Sequence, residues 1–182
     1  LDCLTPGRLT PHEIARAAHR IETDLLGQEC GIQDQLASAY GGLCYIDMHA
    51  FPHATVSQIR IPDILSWELE SRLLLLYTGQ SHSSSEVHRK VIRELEDAGP
   101  DCPKLTPLRA AATASRDALY AGDLKAFGQA MIRNTEAQEQ LNPSLLGPAH
   151  QELIAIARRH GAIGWKVNGA GGNGGSVTIL AG

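Results

Sequence analysis

The sequence predicts an α+β protein, and three observations carry that prediction. Thr10-Pro11-His12-Glu13 is a strong helix start, with Thr10 as N-cap, Pro11 at the first helical position and Glu13 closing a capping box. Short segments that read as strands recur along the chain, at residues 43–48, 55–61, 72–77, 163–167 and 176–180. No internal repeat or low-complexity linker separates these elements, so they are expected to pack as one unit.

Taken in order, Ile14, Ala18, Ile21 and Leu25 recur at helical spacing after the Thr10 cap, and Gly27 ends that helix. A short helical stretch then runs through Tyr40 to the break at Gly41-Gly42. Two strands follow, the second alternating Val56, Gln58 and Arg60 against Ser57, Ile59 and Ile61. Pro62-Asp63 opens a short helix to Ser71. Within residues 72–77, Leu73 to Tyr77 form a continuous apolar run, expected to be buried on both faces.

Beyond Thr78-Gly79 the chain turns mostly helical. Ser83 to Glu86 is a second capping-box pattern, leading into Val87, Val91 and Leu95. Thr106-Pro107 opens a helix that closes at Gly122, and Asp123 caps the next, carrying Leu124, Phe127 and Met131. Ser144 is expected to cap a last helix, through Leu153 and Ala157 to His160-Gly161. Two strands finish the chain around a glycine-rich connection.

Composition narrows the function. Of 182 residues, 43% are hydrophobic and 20% charged, enough apolar material for a core. The formal net charge of −4 comes with no clustered basic surface, which argues against a nucleic-acid partner. The longest apolar run is too short to span a bilayer. Cys3, Cys30, Cys44 and Cys102 form no C-x-x-C pair, which reads as a reduced, cytoplasmic protein. None of the eight histidines pairs at metal spacing on one helix. The first residue is Leu1 and the last, Gly182, closely follows an apolar run, so both ends read as cut.

Residues Gly169 to Gly174 satisfy G-x-G-x-x-G. A dinucleotide fingerprint would open a helix, whereas Ser176-Val177-Thr178-Ile179-Leu180 is a strand, so that reading is rejected. Two readings stay open. Glycines tolerate positive φ, so successive amides can converge into an anion nest; alternatively they merely serve a hairpin connection. The segment holds more glycine than a turn requires, which favours the nest.

Two carboxylates stand out. Asp34 precedes a short helix, where it could cap the first turn or do chemistry. Glu22 lies on the edge of the Ile14–Ala18 stripe, where it either reaches water or needs a cation such as Lys, Arg or Mg²⁺.

Three segments in series resemble the GHMP kinases, the family of galactokinase, homoserine kinase and mevalonate kinase. The first is Ile21-Glu22-Thr23-Asp24-Leu25-Leu26-Gly27 with Gly31-Ile32-Gln33-Asp34-Gln35 and Ala39-Tyr40-Gly41-Gly42. The second is Tyr77-Thr78-Gly79 with the serines after it. The third is Gly164-Trp165-Lys166-Val167-Asn168-Gly169-Ala170-Gly171-Gly172. The Gln33-Asp34-Gln35 version is most similar to that of bacterial D-glycero-D-manno-heptose 7-phosphate kinases and fucokinases.

The resemblance implies an ATP- and Mg²⁺-dependent kinase acting on a hydroxyl of a sugar or sugar phosphate, with a homodimer as an allowed assembly. It implies Asp34 as the catalytic aspartate, Glu22 as a Mg²⁺ ligand, and Gln33, Gly169, Gly171 and Gly172 as phosphate- or substrate-binding residues. It further implies a remainder of the S5-like N-terminal domain over residues 1–70 and a ferredoxin-like C-terminal domain over 71–182, truncated at both ends. The family's serine-rich ATP loop has no match in this sequence, and Asn173 stands where a glycine is commoner. The chain alone is therefore expected to be inactive, with a non-catalytic relative that binds a phosphorylated small molecule as the alternative.

Overall fold

The computed structural model describes residues 9–80, 89, 91–93, 95 and 102–182. The chain divides into two compact units, residues 1–60 and 61–182. Of the expected Ser83 capping box, residues 83–87 lie outside the described residues, as does Ser81; Val91 and Leu95 are helical.

The first unit sets two helices on a β-hairpin. Helix α1 (Pro11–Arg20) starts as expected: Thr10 Oγ1 accepts from the Glu13 amide, and the Glu13 carboxylate accepts from the Thr10 amide at 2.7 Å. The helix does not continue to Gly27 in one register. At Ile21–Leu25 it widens into a π turn, where the Leu26 amide reaches back to the Ile21 carbonyl at 3.1 Å. Thr23 Oγ1 donates to the His19 carbonyl at 3.0 Å, a back-bond of the kind that bends helices. Helix α2 (Gln33–Tyr40) ends on Gly41, whose φ of 69° is open to glycine at no steric cost.

Strands β1 (Leu43–Ala50) and β2 (His53–Ile59) pair antiparallel, with Leu43 opposite Ile59. Ala15, Ile32 and Leu36 are fully buried between helices and hairpin, flanked by Tyr40, Ile46, Ala54 and Val56. Burying Ile32 and Leu36 contributes about 2 kcal/mol each.

In the second unit, helix α3 (Asp63–Arg72) runs directly into strand β3 (Leu73–Tyr77). Helices α4 (Thr106–Ala121), α5 (Leu124–Leu141) and α6 (Pro148–Arg159) follow, then strands β4 (Gly164–Val167) and β5 (Ser176–Leu180). The antiparallel sheet has the order β3-β5-β4, so Leu180 lies opposite both Leu73 and Gly164. Trp165, Val167, Val177 and Ile179 form its core, against Ile132, Leu153, Ile154 and Ala157 from the helices.

Two expectations are corrected here. The apolar run of β3 is not buried on both faces: Leu74 is 52% and Leu75 71% exposed. Among the described residues β3 has one neighbour, so it is an edge strand; β5, at the centre, takes the buried place. Ser144 does not cap the last helix. It sits in a 3₁₀ turn, Pro143–Leu145, capped by Asn142, and α6 begins at Pro148 with Gly147 as N-cap. The α4–α5 corner is as expected. Gly122 adopts the left-handed conformation, the Asp123 amide bonds the Ala118 carbonyl, and Asp123 Oδ1 accepts from the Ala126 amide.

Helix α5 lies unusually close to β4. A Cβ on Gly128 would overlap the Ile163 carbonyl, and one on Gly164 would stand 2.5 Å from the Gly128 Cα. Buried Thr135 adds a polar tie, its hydroxyl donating to the Trp165 carbonyl at 3.2 Å and accepting from the Val167 amide at 3.3 Å.

Candidate active site

In the first unit, a cavity of ≈ 330 Å³ is lined by Ile14, Ala15, Ala18, Glu22, Asp34, Gln35, Ser38 and Ala39. Ile14, Ala18 and Glu22 are spaced four apart on one helical stripe, which carries the Glu22 carboxylate to the cavity wall. The first turn of α2 supplies Asp34 and Gln35 from the other side. The structure therefore brings together the two carboxylates that the sequence singled out.

Asp34 is not an N-cap. Ile32 occupies that place and makes no side-chain bond to the turn, leaving Asp34 inside the helix with its carboxylate uncommitted to capping. The positive end of the helix dipole favours a negative charge there. Glu22 is half-buried, and its Oε2 accepts a hydrogen bond from the Cys30 thiol at 3.3 Å. The Cys30 thiol pKa is pushed up to about 11, first by burial, then by the Glu22 hydrogen bond and charge, then by the charge of Asp34. That one thiol senses both carboxylates, which is an electrostatic sign of their nearness.

Gln35 was not singled out from the sequence, whereas Gln33 was. Gln33 is exposed and folds its amide back over Gly31, so that a Cβ on Gly31 would overlap its Oε1. Gln35 lines the cavity instead, and its side chain hydrogen-bonds Cys30. Its Oε1 is the buried side-chain acceptor left without a partner among the described residues. A buried orphan of this kind is costly in a finished core and expected beside a ligand. Sequence pattern offers no way to tell Gln33 from Gln35, because the two flank Asp34 symmetrically.

The glycine-rich connection lies in the second unit. Gly169, Gly171, Gly172 and Gly175 all have positive φ. The loop is packed rather than loose: Gly171 and Gly172 are buried, and a Cβ on Gly171 would overlap the Leu145 carbonyl. The Gly172 amide donates to that carbonyl at 3.0 Å, and Gln138 Nε2 donates to the Gly169 carbonyl at 2.9 Å. Thr78 donates to the Gly175 carbonyl from both its amide and its hydroxyl, so the second resembling segment meets the end of the glycine-rich connection. Lys166 donates to Gln138 Oε1 at 2.8 Å and to the Val167 carbonyl; burial lowers its pKa to about 8. The amides of Gly169, Ala170, Asn173 and Gly174 have no partner among the described residues. A hairpin alone would not require so many anchors.

The chain is similar to several known proteins. Residues 115–181 match the family model for the GHMP kinases C terminal. The D-glycero-alpha-D-manno-heptose 7-phosphate kinase of Campylobacter jejuni is 24% identical over 91% of this chain and 49% of its own length. The bifunctional fucokinase/GDP-fucose pyrophosphorylase of Arabidopsis thaliana is 28% identical, over 97% of this chain and 17% of its own length. Among solved structures, mevalonate kinase from L. major in complex with R-mevalonate superposes with a TM-score of 0.72. It is 23% identical and covers 95% of this chain and 50% of that one. The chain thus spans about half the length of the heptose kinase and of the mevalonate kinase it matches. It carries the GHMP kinase fold, with residues 115–181 matching the family's C-terminal region.

Proposed function

We propose that this chain is part of an ATP-dependent kinase that phosphorylates a hydroxyl of a sugar or sugar phosphate. The observation that carries the proposal is the single cavity shared by Asp34, Glu22 and the unsatisfied Gln35. Phosphoryl transfer asks a protein mainly for alignment and charge neutralisation, with little covalent chemistry. In this reading residues 1–70 are the remainder of the N-terminal domain and 71–182 the C-terminal domain. The free Cys30, Cys44 and Cys102 suit a reducing cytoplasm.

Asp34 is assigned to the acceptor hydroxyl. It takes or orients the hydroxyl proton as that oxygen bonds the γ-phosphorus and the bond from phosphorus to the ADP oxygen breaks. Gln33 at the mouth of the same turn, and Gly169, Gly171 and Gly172 in the second unit, are assigned to phosphates or substrate. The loop amides that have no partner among the described residues suit an anion.

The residues present also fit Mg²⁺. Among the described residues no group of three or more His, Cys, Asp or Glu side chains converges. Mg²⁺ does not need one, since it keeps several waters and takes one or two carboxylates beside substrate phosphates. Glu22 would hold it, through the oxygen that Cys30 leaves free. Bound there, the ion would neutralise charge on the transferring phosphates.

Asp34→Asn in the full-length protein tests the reading. We expect ATP-dependent phosphorylation across a panel of aldoses and aldose phosphates to fall by about a hundredfold or more. Wild-type turnover in that variant would overturn the assignment. A full-length wild type that binds a phosphorylated sugar without turning over ATP would favour the non-catalytic alternative.

A further inference from the structure

We propose that His150 is a positioning residue that fixes the shape of the glycine-rich loop from beneath. Its imidazole is 0% exposed, at the start of α6. The Gly147 amide donates to Nδ1 at 3.2 Å, so Nδ1 carries the lone pair. Nε2 therefore carries the proton and donates to the Gly174 carbonyl, 2.9 Å away. The ring is neutral and in one tautomer, with both nitrogens occupied.

The second bond matters most. The peptide between Gly174 and Gly175 is held at its carbonyl by His150 and at its amide by the Gln80 carbonyl, at 3.0 Å. A peptide pinned on both edges cannot rotate. A chain this rich in glycine has little intrinsic preference for one conformation, so its shape must come from outside the loop. The same helix start braces the neighbouring turn: Leu146 bridges Gly172, and a Cβ on Gly147 would stand 2.5 Å from the Gly172 carbonyl. In the same turn the Asn173 and Gly174 amides have no partner among the described residues, which suits them to an anion. The consequence for catalysis rests on the proposed phosphate role of this loop; the bracing does not.

Two variants separate bracing from ordinary packing. His150→Asn keeps an acceptor where Nδ1 stood, and so keeps the α6 cap, but is too short to reach Gly174. His150→Gln carries its amide where Nε2–H stood and keeps the Gly174 bond. In the full-length protein we expect His150→Asn to speed hydrogen exchange of the amides of residues 169–175 roughly tenfold, with α4 amides as the unchanged reference. Its KM for Mg-ATP rises while kcat falls less, and His150→Gln restores both loop protection and KM. Imidazole ¹⁵N shifts of the wild type report the Nε2–H tautomer. Loop exchange in His150→Asn within about twofold of wild type would overturn the proposal, as would an equal loss in His150→Gln. A wild type without ATP turnover would remove the kinase reading, while the exchange comparison would still decide the role of His150.

Discussion

The Cys30 thiol donates a hydrogen bond to the Glu22 carboxylate across 3.3 Å, joining the loop before α2 to the π turn after α1. Gln35 extends the contact, since its side chain also bonds Cys30. The cysteine thus links a residue from each wall of the cavity. Cys30→Ala should loosen Glu22 and cost about 1 kcal/mol of stability, whereas Cys30→Ser keeps a donor and should cost less. Chemical denaturation, with Mg²⁺ titrations of turnover in the full-length protein, checks the ordering Ser above Ala.

Glu22→Gln keeps the size of the side chain and its ability to accept from Cys30, but removes its charge. We expect the Mg²⁺ concentration for half-maximal turnover to rise about tenfold, with little change in thermal midpoint. An unchanged Mg²⁺ requirement would show that the ion is held elsewhere.

Gly169 and Gly171 both have positive φ, yet only one has room for a side chain. A Cβ on Gly169 meets nothing within 4 Å, while one on Gly171 overlaps the Leu145 carbonyl. Gly169→Ala should therefore cost about 1 kcal/mol from backbone strain alone. Gly171→Ala should cost roughly 3 kcal/mol, because strain and overlap add. Urea midpoints for the pair test the difference.

Lys166 gives a pH prediction whose sign is fixed by burial. Its pKa is lowered from 10.5 to about 8, so the folded state releases the proton that the unfolded state still holds. The penalty of burying the charge is complete below about pH 8 and is relieved as pH rises towards 10.5. Cys30 works the opposite way: with its pKa raised from 9.0 to about 11, its contribution is complete below 9 and lost as pH rises from 9 through 11. Comparing wild type with Lys166→Met isolates the lysine. The variant's stability advantage at pH 7 should shrink as pH rises through 8 to 10.5.

Much of the fold was legible because caps and breakers act locally. Thr10-Pro11, Asp123 and the glycines at 41 and 122 bracket their helices by chemistry confined to a few residues. Burial of β3 was not legible, since an apolar run reads alike at the edge or the centre of a sheet; only pairing decides. The π turn was hidden for a similar reason, because Ile14, Ala18, Ile21 and Leu25 fit an unbroken helix equally well. Within the candidate site, Asp34 and Glu22 were visible as carboxylates in suggestive places. Cys30 and His150 were not. Each acts through a contact made by folding, Cys30 on a residue eight positions away and His150 on one 24 positions away.

The close approach of Gly128 to Gly164 turns α5 into a ruler for the strand beside it. Its foot touches β4 at Gly164, and further along the same helix Gln138 holds the Gly169 carbonyl. From 128 to 138 the helix advances about 15 Å. From 164 to 168 an extended chain advances about 13 Å before the turn at Gly169. The two spans agree to within the reach of the Gln138 side chain, so both marks can be met at once. A single residue inserted between 128 and 138 would rotate Gln138 by about 100° and take it off the loop, although every core contact below the insertion could stay in place. Length, as much as residue identity, is therefore under constraint in this helix.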